Sequence, residues 1–342
     1  MTATVMGDTV SGGLQINFNQ SVGDSMESAL KEVIKFHQLR HSVDESRKEI
    51  EISFEEQYSS KDGPSAAVAC ALLAESIVTG TELDRTFAVT GDLNADGAVQ
   101  PVGGIDGKIR GAINANCSII ALPKESSNVL SDYAVLGQLK PFIDIQVFSI
   151  TTFDEALQLS KASEQRSEET QLSIDTFSKV QEVLQKPGGE KWLSNPHVHD
   201  KLRIVLKNTP NHESAKYLLL KGLGRSPESL SLSGSFLQIY RATTPLRGAL
   251  ESGEIPEDTG DLSQSMFNLR RIRAKLDPRT RACADALEDF SGSLKKVGDT
   301  NLFAANSRIP KIVEELESSW SDVLREYKKI RNDPEIQEEL AL

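Results

Sequence analysis

The sequence predicts an α+β domain over residues 1–160, a short linker at 161–170, and an all-α domain over 171–342. Three observations carry this division. Strand and helix patterns alternate through the first part, the composition turns polar and charged from Lys161 to Thr170, and beyond that point every periodic segment has the helical period.

The elements follow in order. Leu14 to Phe18 alternates apolar and polar residues as a half-buried strand does. Asp24 or Ser25 can cap a helix whose Met26, Ala29, Leu30, Val33 and Ile34 form one apolar stripe. Glu51 to Phe54 reads as a strand, and Pro64 precedes a helix of small residues from Ser65 to Val78. Thr86 to Leu93 and Ala98 to Val102 flank Asp96-Gly97, a hairpin turn signal. Ile105, Ile109, Ala112 and Ile113 fit one helix face. Ser118 to Leu122 and Gln146 to Ser149 are short strands, and Phe153 to Leu159 a closing helix. Past the linker, helices are expected at Ser173–Leu184, Asp200–Lys207, Glu213–Leu223, Leu262–Leu276, Arg281–Val297 and Pro310–Ile330. Thr209 to Leu219 resembles the start of a tetratricopeptide helix, but no 34-residue period accompanies it, so a helical bundle is expected.

Composition narrows the function. The chain has 342 residues, 38% hydrophobic and 26% charged, which is ordinary for a globular protein. Its formal charge of −12 argues against nucleic acid and anionic membrane as partners, since both require basic surface. No apolar run approaches a membrane span, and Met1 to Gly13 lacks the basic start and apolar stretch of a signal peptide, so a cytoplasmic location is expected. Cys70, Cys117 and Cys283 are widely separated and odd in number, which predicts neither a disulfide framework nor a zinc site. His197-Val198-His199-Asp200 lacks a second ligand pair and reads as surface histidines at a loop–helix junction. Arg270, Arg271 and Arg273 read as a solvated or ion-paired face. No cofactor or metal is expected.

Two segments carry chemistry. In Lys61-Asp62-Gly63-Pro64-Ser65-Ala66-Ala67, a serine opens a helix where free N–H groups and the dipole favour developing negative charge. From this segment alone a helix cap is the commoner role for Ser65. In Pro101-Val102-Gly103-Gly104-Ile105-Asp106-Gly107-Lys108, a glycine turn places a lysine on the first turn of a helix. Partial burial and the positive helix end would ease loss of its proton, although a solvated lysine is the commoner case.

Together these segments closely resemble the proteolytic domain of Lon proteases. That family carries a Lys-Asp-Gly-Pro-Ser-Ala-Gly box with the nucleophile and a Pro-(Val/Ile)-Gly-Gly-x-x-x-Lys box with its lysine. Ser65 and Lys108 match those positions. Val89-Thr90-Gly91-Asp92-Leu93 resembles the family's Met-Thr-Gly-Glu segment, which implies that Thr90 hydrogen-bonds the lysine. Gly23-Asp24-Ser25-Met26-Glu27-Ser28-Ala29 resembles its Gly-Asp-x-Met-x-Glu-Ser-Ala helix. The resemblance covers residues 3 to 160. It implies a Ser-Lys dyad, peptide hydrolysis through an acyl-enzyme, polypeptide substrates and a homo-oligomer in the form of a hexameric ring. Asp62, Gly63, Pro64, Ala66, Gly103 and Gly104 take supporting roles, with the Gly63–Ala66 backbone as the expected oxyanion hole.

The departures are Ala67 where the family has glycine, Gly107 where it has an acidic residue, and Tyr58-Ser59-Ser60 before the first box. No G-x-x-x-x-G-K-[ST] phosphate loop occurs in the sequence. The expected function is therefore an ATP-independent, Lon-like serine endopeptidase. Its rivals are a non-catalytic assembly scaffold and a protease subunit that docks on a separate ATPase.

Overall fold

The computed structural model describes residues 1–9, 13–42, 47–55, 61–247, 259–300 and 309–341. They form two compact units, one of Met1–Leu130 with Gly137–Ser226, the other of Ser131–Leu136 with Pro227–Leu342.

The first unit is α+β. Strands β1 (Thr2–Gly7), β2 (Gln15–Phe18) and β3 (Glu49–Ser53) form one sheet in the order β1-β3-β2, with β1 antiparallel and β2 parallel to β3. Strands β4 (Phe87–Val89), β7 (Ile119–Pro123) and β8 (Gln146–Ile150) form an all-parallel sheet in the order β4-β7-β8. Every residue of β7 and β8 is buried, which is why β7 reads as an unbroken apolar run rather than an alternating one, while β8 buries Gln146 and Ser149 as well. Strands β5 (Asp92–Leu93) and β6 (Val99–Gln100) make the hairpin expected around Asp96-Gly97.

Helices α1 (Asp24–Arg40) and α2 (Ala67–Thr79) pack together over this core. Helix α2 is apolar almost all round, because Val68, Ala71 and Ala74 are enclosed in the cluster that holds Ile50, Ile52, Phe148 and Phe153. The expected caps of α1 are not used. Gly23 is the N-cap and has no side chain, and the Asp62 carboxylate takes the part by accepting the Met26 N–H at 3.4 Å. A methyl group on Gly23 would lie 2.2 Å from Asp62 Cγ, so glycine there makes room for the carboxylate. Helices α3 (Ile105–Asn114), α5 (Lys140–Asp144) and α6 (Phe153–Ser160) complete the part with sheets, while α4 (Ser127–Leu136) belongs from Ser131 onward to the second unit.

The segment expected as a linker is fastened in place. Lys161 pairs with Leu83, the Ala162 N–H donates to Glu82 O, and Arg166, almost fully buried, forms an ion pair of 2.6 Å with Asp84. Arg166 is therefore partnered rather than solvated, although Ser163 to Gln165 and Ser167 to Glu169 stay exposed, and the compact unit runs on to Ser226 through α7 (Glu168–Leu184), α8 (Pro196–Asn208) and α9 (Glu213–Gly222). These residues satisfy the edge of β8: Ser149 N–H donates to Asn211 O at 2.9 Å and Val147 N–H to Ser214 Oγ at 2.9 Å. His212 is fully buried against the rings of Phe148 and Phe177. Its Nδ1 accepts the Ala215 N–H, so the other nitrogen, Nε2, carries the proton and donates to Gln146 Oε1.

In the second unit, α10 (Leu232–Ala242), α11 (Gly260–Arg273), α12 (Pro278–Gly298), α13 (Ile309–Asn332) and α14 (Pro334–Ala341) gather around Leu269, Leu276, Phe290 and their neighbours. The sequence reading lacks α10, whose Ser-Gly-Ser start obscures the helical period. Ser231 caps it, held in turn by both oxygens of Asp132 at 2.7 Å. Arg270 and Arg273 pair with Glu288 and Asp285, the ion-paired face expected of that cluster. Among the described residues no helix is long and apolar enough to cross a membrane.

Two outcomes follow. A chain ending after Ser226 unfolds cooperatively in a thermal melt, whereas one ending after Ser160 exposes β8 and melts lower or precipitates; equal melting would contradict the role given to residues 161–226. Burial lowers the pKa of His212 to about 3. The unfolded histidine gains a proton as pH falls below about 6.5 while the folded one does not, so stability present above that pH is lost on acidification toward 3. At pH 5.5 the loss is about 1.4 kcal/mol relative to neutral pH, and denaturant titrations of His212→Gln should lack that part of the slope.

Candidate active site

Ser65 sits on a turn fixed by its neighbours. Gly63 has φ +91°, a conformation that favours glycine, and Pro64–Ala66 form a single 3₁₀ turn that runs into α2. The α-helix expected from Ser65 starts at Ala67, because the Ala67 N–H bonds Pro64 O in the tighter 3₁₀ pattern. Ser65 is half-buried, and its carbonyl accepts two hydrogen bonds, from Thr90 Oγ1 at 3.0 Å and Gly91 N at 3.1 Å. The Val68 N–H returns one bond to Gly91 O at 3.3 Å. A methyl on Gly91 would lie 2.8 Å from Val99 Cγ1 and 3.1 Å from Val68 Cγ2, so this close docking needs glycine.

The resemblance implied that Thr90 bonds the lysine. In the structure the buried Thr90 hydroxyl donates to Ser65 O instead, and so holds the serine's turn. Lys108 lies on the first turn of α3, after Gly104, which has φ +70°. Its Nζ donates to Gly103 O at 2.7 Å. Among the described residues no hydrogen bond joins Ser65 Oγ to Lys108 Nζ. The two segments are nonetheless tied by one device: the β5–β6 hairpin pairs Asp92 with Gln100, and so carries Gly91 and Pro101 to the same end.

Burial lowers the Lys108 pKa from the ordinary 10.5. Neither nearby carboxylate opposes this. Asp106 pairs with Arg110 at 2.7 Å, and Asp62 Oδ1 accepts from Gly63 N at 2.7 Å and from the start of α1. The Gly63 N–H is used by Asp62 and Pro64 has none, so those two positions offer the expected oxyanion hole no free donor.

The departures have local readings. The Ala67 methyl is buried in the core beside Met26 and Ala29, away from solvent. Gly107 is exposed with open space around it. Tyr58, Ser59 and Ser60 lie outside the described residues. Cys70 is a core residue whose thiol burial pushes up to about 12. The histidine pair divides: His197 is exposed, as expected, whereas His199 is buried with Nε2 against Leu193 O. The sequence reading missed the tie between Asp62 and Gly23. Its signal was present as two motifs read separately.

Residues 2–160 match the family model of the Lon protease (S16) C-terminal proteolytic domain. The chain is 32% identical over 159 residues to the Lon protease of Methanosarcina barkeri, a stretch that is 45% of this chain and 19% of that protein. It is 28% identical over 150 residues to the Lon protease of Clostridium beijerinckii, covering 43% and 18%. With the archaeal Lon protease of Archaeoglobus fulgidus the identity is 32% over 116 residues, covering 34% and 18%. The chain thus spans about a fifth of the length of these relatives.

Lysine titration followed by NMR on isotopically methylated protein should place Lys108 below 10.5 and Lys140, which is paired with Asp144, above it. Coincident midpoints would contradict the burial assigned to Lys108.

Proposed function

We propose that the Lon-type proteolytic domain of residues 2–160 is an active serine endopeptidase that cuts unfolded or loosely folded polypeptide without ATP. The observation that carries this reading is a half-buried lysine with no carboxylate against it among the described residues, tied by one hairpin to a serine whose turn is anchored at its own carbonyl.

The chemistry begins at Lys108. Its long, flexible stem lets Nζ leave Gly103 O and approach Ser65 Oγ, and active-site hydrogen bonds commonly tighten only with substrate bound. The neutral amine takes the hydroxyl proton as Oγ attacks the scissile carbonyl. The Ser65 N–H and the positive end of α2 stabilise the oxyanion. As the tetrahedral intermediate collapses, the Lys108 ammonium returns the proton to the leaving amine. Water then releases the acyl group by the same steps. Thr90 acts as a positioning residue, because its hydroxyl bonds the backbone of the nucleophile.

ATP-independence rests on the lack of a phosphate-loop sequence in these 342 residues. Assembly into a homo-oligomeric ring and a cytoplasmic site of action come from the family resemblance and composition. Residues 227–342 would then control access or assembly. One observation favours a rival: Nζ is bound to Gly103 O rather than to Ser65, as a non-catalytic scaffold would permit. A separate ATPase partner would show itself by co-purification.

Ser65→Ala and Lys108→Ala should each lower hydrolysis of a fluorogenic peptide by about a thousandfold or more with folding retained. Cleavage by Ser65→Ala at near the parent rate would end the assignment. The rate should rise with pH through one ionisation whose midpoint lies below 10.5, because only the neutral amine is a base. Thr90→Val should lower kcat about tenfold with KM little changed, as expected when the nucleophile's turn loosens.

A further inference from the structure

Helix α2 carries one carboxylate deep in its packed face. Glu75 is 3% exposed, and the last turn of α1 brings His37 and His41 to it. His37 is 0% exposed. Its Nε2 lies 3.1 Å from Ala71 O, which can only accept, so Nε2 carries the proton and Nδ1 keeps its lone pair. Nδ1 makes no hydrogen bond and faces Glu75 Oε2 at 3.5 Å. A buried lone pair turned toward a carboxylate oxygen is a costly contact, and a cation held by both atoms relieves it.

We propose that His37 Nδ1, His41 Nε2 and Glu75 Oε2 form a site for a zinc-class divalent cation that clamps α1 to α2. The three atoms lie within 4.8 Å of one another. Two imidazoles four residues apart on a helix face and a carboxylate from the adjoining helix are a nitrogen-rich set, which suits zinc over calcium or magnesium. Tetrahedral ligands about 2.0–2.1 Å from zinc stand roughly 3.3 Å apart. The His37–Glu75 pair already has that spacing. The His41–Glu75 pair, at 2.7 Å, opens by less than 1 Å, and His41 sits at the C-cap of α1 where its ring can turn. On binding, the His41 proton moves from Nε2 to Nδ1 through solvent, since His41 is partly exposed.

The surroundings match a metal's outer shell. The Ala71 carbonyl orients the His37 ring as backbone carbonyls orient metal-bound histidines. Arg40 Nε holds Glu75 Oε1 at 3.2 Å, which leaves Oε2 as a single ligand oxygen. The Arg40 charge is met in turn by Asp154 at 2.7 Å, and its guanidinium lies over the Phe36 and Phe153 rings. Water fills the remaining coordination position on the His41 side.

The site lies at the other end of the α1–α2 pair from the contact of Asp62 with Gly23, and α2 is the helix that the Ser65 turn enters. A bound cation therefore stabilises the pairing without touching Ser65 or Lys108.

The test uses the full chain, freed of metal with a chelator and titrated with zinc by calorimetry and with cobalt(II) by visible absorption. One equivalent should bind with micromolar affinity or better. Cobalt should show the intense ligand-field bands of a four-coordinate site, and zinc should raise the thermal midpoint by several degrees. His41→Ala, at the partly exposed ligand, should keep the fold and weaken binding at least a hundredfold. Glu75→Gln serves as a second ligand variant. No stoichiometric binding by the parent chain, or unchanged binding by folded His41→Ala, would overturn the site. Neither readout uses peptidase activity, so the outcome is independent of the function proposed for Ser65 and Lys108.

Discussion

The candidate site depends on the two hydrogen bonds that Thr90 and Gly91 make to the carbonyl of Ser65. Through them the strand connection after β4 is sewn onto the entry of α2, and the backbone of Ser65 ceases to be a free loop. The docking is close because a glycine at 91 lets the chain pass beside Val68 and Val99. The β5–β6 hairpin leaves from that contact and returns at Pro101, so the glycine turn before Lys108 begins where the Ser65 anchor ends. Ser65 and Lys108 are thus set by a short path of backbone hydrogen bonds.

Electrostatics follow from the same packing. A lysine can serve as a base at moderate pH only where the charged form is disfavoured and no anion restores it. Burial meets the first condition at Lys108. The second is met by sending the two neighbouring carboxylates elsewhere, Asp106 to Arg110 and Asp62 to Gly63 and the start of α1. Asp62 therefore has a positive use: it caps a helix that has no capping side chain of its own.

The unit that holds the site is larger than the stretch that matches the family. Strand β8 would leave an unsatisfied edge if the chain ended at Ser160, and residues 209–214 complete it with backbone, serine and the buried His212. The segment after α6 looked like a linker because it is charged. Charge marks solvent exposure only when it lacks partners, and Arg166 is buried on Asp84.

Much of this was legible in the residues. The unbroken apolar run of β7, the Asp96-Gly97 turn, the stripe on α1 and the two glycine boxes are local patterns, and local patterns report periodicity, turn chemistry and motif identity. From them comes the expectation that Ser65, Lys108 and Thr90 share one site. Tertiary structure alone decided which atoms meet: that Thr90 holds the Ser65 carbonyl rather than the lysine, that Asp62 replaces Asp24 or Ser25 as the cap, that Lys108 rests on Gly103, and that Glu75 faces two histidines of α1. The reason is physical. Periodicity shows which face of an element is buried, but a hydrogen bond depends on distances of a few tenths of an ångström between elements far apart in the chain, and only the packed fold sets those distances.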